Sequence, residues 1–125
     1  MFQILLVALG GAIGSVLRYL TGLFALRMMG PNFPWGTLAV NVVGGFAIGV
    51  LAELIARKYG ASPELRLFFV TGILGGFTTF SAFSLDAVVL FERGEIMTTG
   101  LYIAASLVLS ILAVFAGLAL VRAMV

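Results

Sequence analysis

The sequence predicts an all-α integral membrane protein of four spanning helices, the third of them broken. Three observations carry this expectation. First, 62% of the 125 residues are hydrophobic and only 10% are charged, against about 45–50% and about 25% in soluble domains. The mean hydropathy is +1.24, and lipid is the solvent that fits so few charges. Second, the charges fall in short groups, leaving residues 2–17, 28–52, 67–85 and 96–121 uncharged. A spanning helix needs about 20 mostly apolar residues. The expected helices are therefore 2–26, 33–56, 64–91 and 96–122, within a single transmembrane domain of residues 1–125. Third, Gly75-Gly76 and Thr78-Thr79 lie together in the middle of the third run. Glycines beside β-branched threonines are poor continuous helix, and discontinuous spans are tolerated where they line a cavity or are buried in protein.

Each element has its own punctuation. The first helix lacks the basic leader of a signal peptide, and its apolar run continues too far for one. Gly30-Pro31-Asn32-Phe33-Pro34 ends it, and Trp35 just beyond suits a membrane interface. Gly60 ends the second helix. Ser62-Pro63-Glu64 reads as an N-cap, a proline at the first helical position and an acid in the first turn. Glu92-Arg93-Gly94-Glu95 turns the chain into the fourth helix. These spans use nearly the whole chain and leave no soluble domain.

Several function classes are excluded. The sequence has no Cys and no His, so disulfides, thiol nucleophiles and the commonest general base are absent. Without them, or a central acid, no nucleophile–base pair can be assembled, and the chain is not expected to be an enzyme. A net charge of +2 from so few charged residues makes no nucleic-acid patch.

The charges also bear on orientation. With the N-terminus inside, Arg57, Lys58, Arg66 and Arg122 are inside, and Arg27, Arg93 and in part Arg18 are outside. Four against two or three either fixes one orientation or permits both, so that the protein inserts two ways and pairs antiparallel with itself. Four helices of this size bury little surface among themselves, and self-association is expected. The pairs Gly10/Gly14 and Gly45/Gly49 are candidates for its contacts.

In hydrocarbon, polar side chains face protein or water. Arg18 lies about 24 Å along the first helix at 1.5 Å per residue, either drawing anions into a vestibule or snorkelling to headgroups. Asn41 shares a stripe with Thr37, Gly45 and Gly49, and either binds an ion or ties two helices together. Tyr102, Ser106 and Ser110 recur at every fourth position, either as a polar track or with each serine bonded back to its own helix. Phe80 and Phe83 follow the break on one face. They are filler, or they offer ring edges, which are positive, to a small anion. No acid lies at mid-span: Glu53 and Asp86 are near helix ends.

The most specific segment is Gly75-Gly76-Phe77-Thr78-Thr79-Phe80-Ser81-Ala82-Phe83-Ser84. With residues 10–19 (GGAIGSVLRY) and 36–44 (GTLAVNVVG), it resembles the CrcB/Fluc fluoride channels of bacteria, over essentially the full length. The resemblance implies an antiparallel, dual-topology homodimer in the bacterial inner membrane, with two pores for passive fluoride efflux that protects the cell. It implies a structural Na⁺ at the dimer centre, held by backbone carbonyls of Gly75 and Thr78 from both subunits. Phe80 and Phe83 would form an aromatic box, and Asn41 would line the pore. Thr79, Ser81, Tyr102, Ser106 and Ser110 would fall along the same pathway, with Arg18 near the aqueous entrance. Ala82 departs from the family pattern, which has Thr there; Ser81 and Ser84 are the neighbouring hydroxyls that would replace it. The implied partners are a second copy, fluoride, sodium and membrane lipid, with no nucleic acid. A small dual-topology, proton-coupled multidrug exporter is the competing reading. It fits the size and the weak charge bias but wants an acid at mid-span.

Overall fold

The computed structural model describes residues Met1–Val125, and every regular element in it is helical. Four stretches are long and apolar enough to cross a membrane: Phe2–Met29, Trp35–Lys58, Pro63–Glu92 and Ile96–Met124. We call the first two α1 and α2. The third stretch divides into α3 (residues 63–77) and α4 (Phe80–Glu92), and the last helix, Ile96–Met124, is α5.

Successive helices run up and down. Arg93 Nη1 donates to Asn32 O at 3.4 Å, placing the α1–α2 and α4–α5 turns at one end. At the opposite end Arg122 pairs with Glu53, which also pairs with Arg57 at 3.5 Å. Gly30 ends α1 with φ of 81°, a left-handed conformation that glycine adopts without a Cβ clash. Only 18 of 125 residues are buried, and large side chains such as Phe24, Leu107 and Phe115 point outward. In water that surface would aggregate; in lipid it is matched to its solvent.

Two close crossings hold the helices together. α1 lies on α3 so tightly that a Cβ on Gly10 would sit 2.5 Å from Phe68 O, and one on Gly14 would fall on Ile73 O. From the other side, a Cβ on Gly76 would lie 2.7 Å from Gly11 O. α2 crosses α5 in the same way. A Cβ on Gly45 would lie 2.8 Å from Ser110 O, and Gly49 and Gly117 would collide with Val114 O and Phe46 O. This corrects the expectation that Gly10/Gly14 and Gly45/Gly49 mark self-association. Both pairs are consumed inside one chain, because removing Cβ atoms lets two backbones meet where no hydrophobic force pulls helices together.

The third stretch is irregular in two places. Pro63–Leu65 forms a first α turn, capped by Ser62 Oγ accepting from Leu65 N–H at 3.3 Å. Arg66–Leu74 then winds as a π-helix, whose bonds reach five residues back, as from Gly75 N–H to Val70 O. Gly75–Phe77 returns to α form. The break falls after it, at Thr78 (φ −85°, ψ 158°) and Thr79 (φ −153°, ψ 122°), both extended. The double glycine therefore stays helical, and the chain opens at the threonine pair two residues on.

Candidate functional site

Asn41 organises the break. Its Oδ1 accepts from Thr79 N–H at 2.8 Å, and its Nδ2 donates to Thr79 O at 3.0 Å. One side chain thus satisfies both backbone groups of an extended residue that no helix serves. Thr79 Oγ1 accepts from Ala82 N–H at 3.1 Å and so caps α4. The Thr78 hydroxyl donates to Leu74 O at 2.9 Å, and Thr78 N–H bonds the same carbonyl at 3.0 Å.

These bonds have a consequence for two carbonyls. In a continuous helix Gly75 O would accept from Thr79 N–H, and Thr78 O from Ala82 N–H. Both donors are taken by side-chain oxygens, of Asn41 and of Thr79. The carbonyls of Gly75 and Thr78 are thereby released from the helix ladder. Gly75 is exposed, and a Cβ on it would meet nothing closer than Val70 O at 3.7 Å. Gly76 O is occupied, accepting from Arg18 Nε–H at 3.0 Å. The two free oxygens form a hard donor set, of the kind broken membrane helices offer to Na⁺. They fit that ion by chemistry and by their freedom from other partners.

A cavity of about 350 Å³ opens beside the break. It gathers Asn41, Thr78, Thr79, Phe80, Phe83, Ser106 and Ser110, with Gly44 and Gly45 as its floor. The Phe80 and Phe83 rings lie 5.6 Å apart and tilt 49° to each other. Phe83 is 8% exposed and Phe80 75%, so one ring is fixed in the core and the other stands free. The hydroxyls of Ser106 and Ser110 are buried without a hydrogen-bond partner. An unpartnered buried hydroxyl costs about 1–3 kcal/mol, and a bound water or ion is one way that cost is met.

A second cavity, of about 460 Å³, contains Arg18 with Ser15, Thr37 and Ala82. Thr79 lines both cavities. The Asn41–Thr79 clamp thus stands between the arginine side and the aromatic side of the break. Arg18 is half-buried, with its Nε–H turned onto Gly76 O.

The remaining candidates lie apart. Tyr102 is fully buried, packs 5.3 Å from Phe83 and donates its hydroxyl to Asp86 at 3.3 Å. It stands behind the aromatic cavity and does not line it. Ser81 is exposed, with its hydroxyl 3.3 Å from that of Thr79. Ser84 bonds Phe80 O at 3.0 Å, back along its own helix. Ala82 faces the arginine cavity, so its missing hydroxyl bears on that side of the break. Ser15 and Asp86 were not singled out as site residues by the sequence. Ser15 carries no periodic signal, and Asp86 reads as a helix-end charge until Tyr102 is seen to hold it.

The family model described as "CrcB-like protein, Camphor Resistance (CrcB)" matches residues 5–118. A protein of Rhizobium etli (strain CFN 42), called "Fluoride-specific ion channel FluC", is 72% identical over 125 residues, covering all of both chains. Proteins of the same name from Agrobacterium fabrum (strain C58) and Rhizobium meliloti (strain 1021) are 69% and 66% identical. They cover 98% and 100% of this chain and the same shares of their own. Residue by residue, the matched region takes in both glycine crossings, the broken third stretch and both cavities. The chain belongs to the CrcB-like family.

Proposed function

We propose that this protein is a fluoride-selective ion channel, not an enzyme, that lets fluoride leave the cell passively and so limits its toxicity. The observation that carries the reading is the aromatic cavity, where Phe80 and Phe83 meet two unpartnered hydroxyls beside the Asn41 clamp. Its chemistry suits a small, strongly hydrated anion. Ring edges carry partial positive charge, and the Ser106 and Ser110 hydroxyls have protons to donate. None is a full charge, so the anion is stripped of water without being trapped, the compromise that conduction requires. The Arg18 cavity on the other side of Thr79 supplies the one cation of the path. Fluoride would gather near Arg18, pass Thr79 and Asn41, and travel between the rings and the serine hydroxyls. The sequence has no histidine, and neither cavity is lined by an acid, which favours passive flow over proton coupling.

The full assembly is an antiparallel homodimer of dual topology in the bacterial inner membrane. Weakly biased basic residues support two orientations. The exposed Gly75 face supports a neighbour at the break. The carbonyls of Gly75 and Thr78 from each chain would hold a structural Na⁺ there, and when bound the ion would tie the two breaks together.

Purified protein in liposomes loaded with fluoride should release it within seconds of uncoupling the membrane potential, read by a fluoride electrode. Chloride-loaded liposomes should release far less. Fluoride release no faster than from protein-free liposomes rejects the channel, and equal chloride release rejects its selectivity.

A further inference from the structure

We infer that Phe33, in the turn between α1 and α2, is a positioning residue for the anion pathway, acting through Tyr102 on Phe83. The inference rests on the channel reading above. Five rings run in an unbroken series from the membrane interface to the cavity. Trp35 and Phe33 are 4.6 Å apart between centroids. Phe33 meets Tyr102 at 5.4 Å with the ring planes perpendicular. Tyr102 lies 5.3 Å from Phe83, and Phe83 lies 5.6 Å from Phe80. At these separations aromatic quadrupoles orient one another.

Tyr102 is the middle of the series. It is fully buried, and its hydroxyl is held by Asp86. That bond fixes the far end of the ring but leaves rotation about the ring's long axis. The perpendicular ring of Phe33 settles that rotation, and Phe83, packed on Tyr102, takes its tilt from the result. Phe33 also packs on the buried cluster of Phe83, Leu90 and Tyr102, although it belongs to a short turn. The turn is anchored in its own right: Trp35 N–H donates to Phe33 O at 2.8 Å, and Arg93 holds Asn32. Phe33 does not line the aromatic cavity, so its influence on the ion passes through the rings between.

The test reconstitutes wild type, Phe33→Leu, Phe33→Met and Phe33→Tyr in liposomes, reading fluoride release by electrode and the emission of Trp35, the only tryptophan, with and without fluoride. Leucine and methionine keep bulk and lose the ring, so fluoride release should fall about two- to tenfold. Phe33→Tyr keeps the ring and should release fluoride as the wild type does. Fluoride should shift Trp35 emission in wild type and Phe33→Tyr, and the shift should vanish in Phe33→Leu. Wild-type release from Phe33→Leu or Phe33→Met overturns the positioning role, as does equal loss in Phe33→Tyr. If neither ringless variant assembles, wild-type Trp35 emission decides, and no response to saturating fluoride overturns the inference. No fluoride release from the wild type is a separate result, which overturns the channel reading and this inference with it.

Discussion

Asn41 holds both backbone groups of Thr79 from another helix. Asn41→Ala leaves a half-buried N–H and carbonyl without partners, and thermal unfolding in detergent should show a loss of about 1–3 kcal/mol. Fluoride flux should fall with it. Asn41→Asp keeps an acceptor for Thr79 N–H but loses the donor to Thr79 O and puts an anion beside the path, so both its stability and its flux should fall below wild type. The two phenylalanines should separate in the opposite sense. Phe83 is core and Phe80 stands free, so Phe83→Ala should cost about 3–5 kcal/mol, as large core deletions do, and Phe80→Ala distinctly less. Both should reduce flux. Equal melting temperatures for the two variants would contradict this placement of the rings. The sequence could name these residues because polar or aromatic groups are conspicuous in an apolar run. It could not pair Asn41 with Thr79, which lies 38 residues away, nor see that Tyr102 is occupied by Asp86.

At the level of helices, the glycines divide into those that carry a crossing and those that do not. A methyl group at Gly14 or Gly49 would have to push a backbone carbonyl aside, whereas Gly100 has nothing within 4 Å of an added Cβ. Gly14→Ala and Gly49→Ala should destabilise the fold by about 1–3 kcal/mol, and Gly100→Ala should leave it unchanged or slightly firmer, as read by melting in detergent. The same logic locates the break. Glycine costs a helix about 1 kcal/mol, yet Gly75-Gly76 stays helical and the opening falls at Thr78-Thr79. Gly76 is glycine because α1 lies against it, and helical winding survives there. The chain opens where Asn41 and the Thr79 hydroxyl replace the lost ladder bonds; the Asn41 half of that condition is set by another helix and is invisible in the local sequence. The π winding over Arg66–Leu74 left no mark in composition at all.

For the whole molecule, the four spans were legible because charge placement is a long-range signal that needs no contact information. Assembly is another matter, since the small-residue pairs that would mark a partner are used inside the chain. Orientation can be read directly, because the chain has no native cysteine. Asn32→Cys, in an exposed turn, should react with a membrane-impermeant maleimide in intact spheroplasts to about half of its extent after lysis, if the protein inserts both ways. Complete or absent labelling before lysis would fix a single orientation. The proposed sodium site makes a separate demand: replacing Na⁺ on both sides by a large organic cation should lower the protein's melting temperature and its flux. No change in either would leave the carbonyls of Gly75 and Thr78 without that role.

The π-helix of α3 is also a record of chain length. A π turn accommodates one more residue than an α turn over the same contacts, so the segment behaves as a helix that has absorbed an insertion. Removing one residue from it, Leu67 for example, should let the segment relax to α winding while the break keeps close to its present face toward Asn41. The same deletion inside α4, which is already α-wound, would turn everything beyond it by about 100°. The π segment is thus the one place in the third stretch where a residue could be lost without changing the aim of the break.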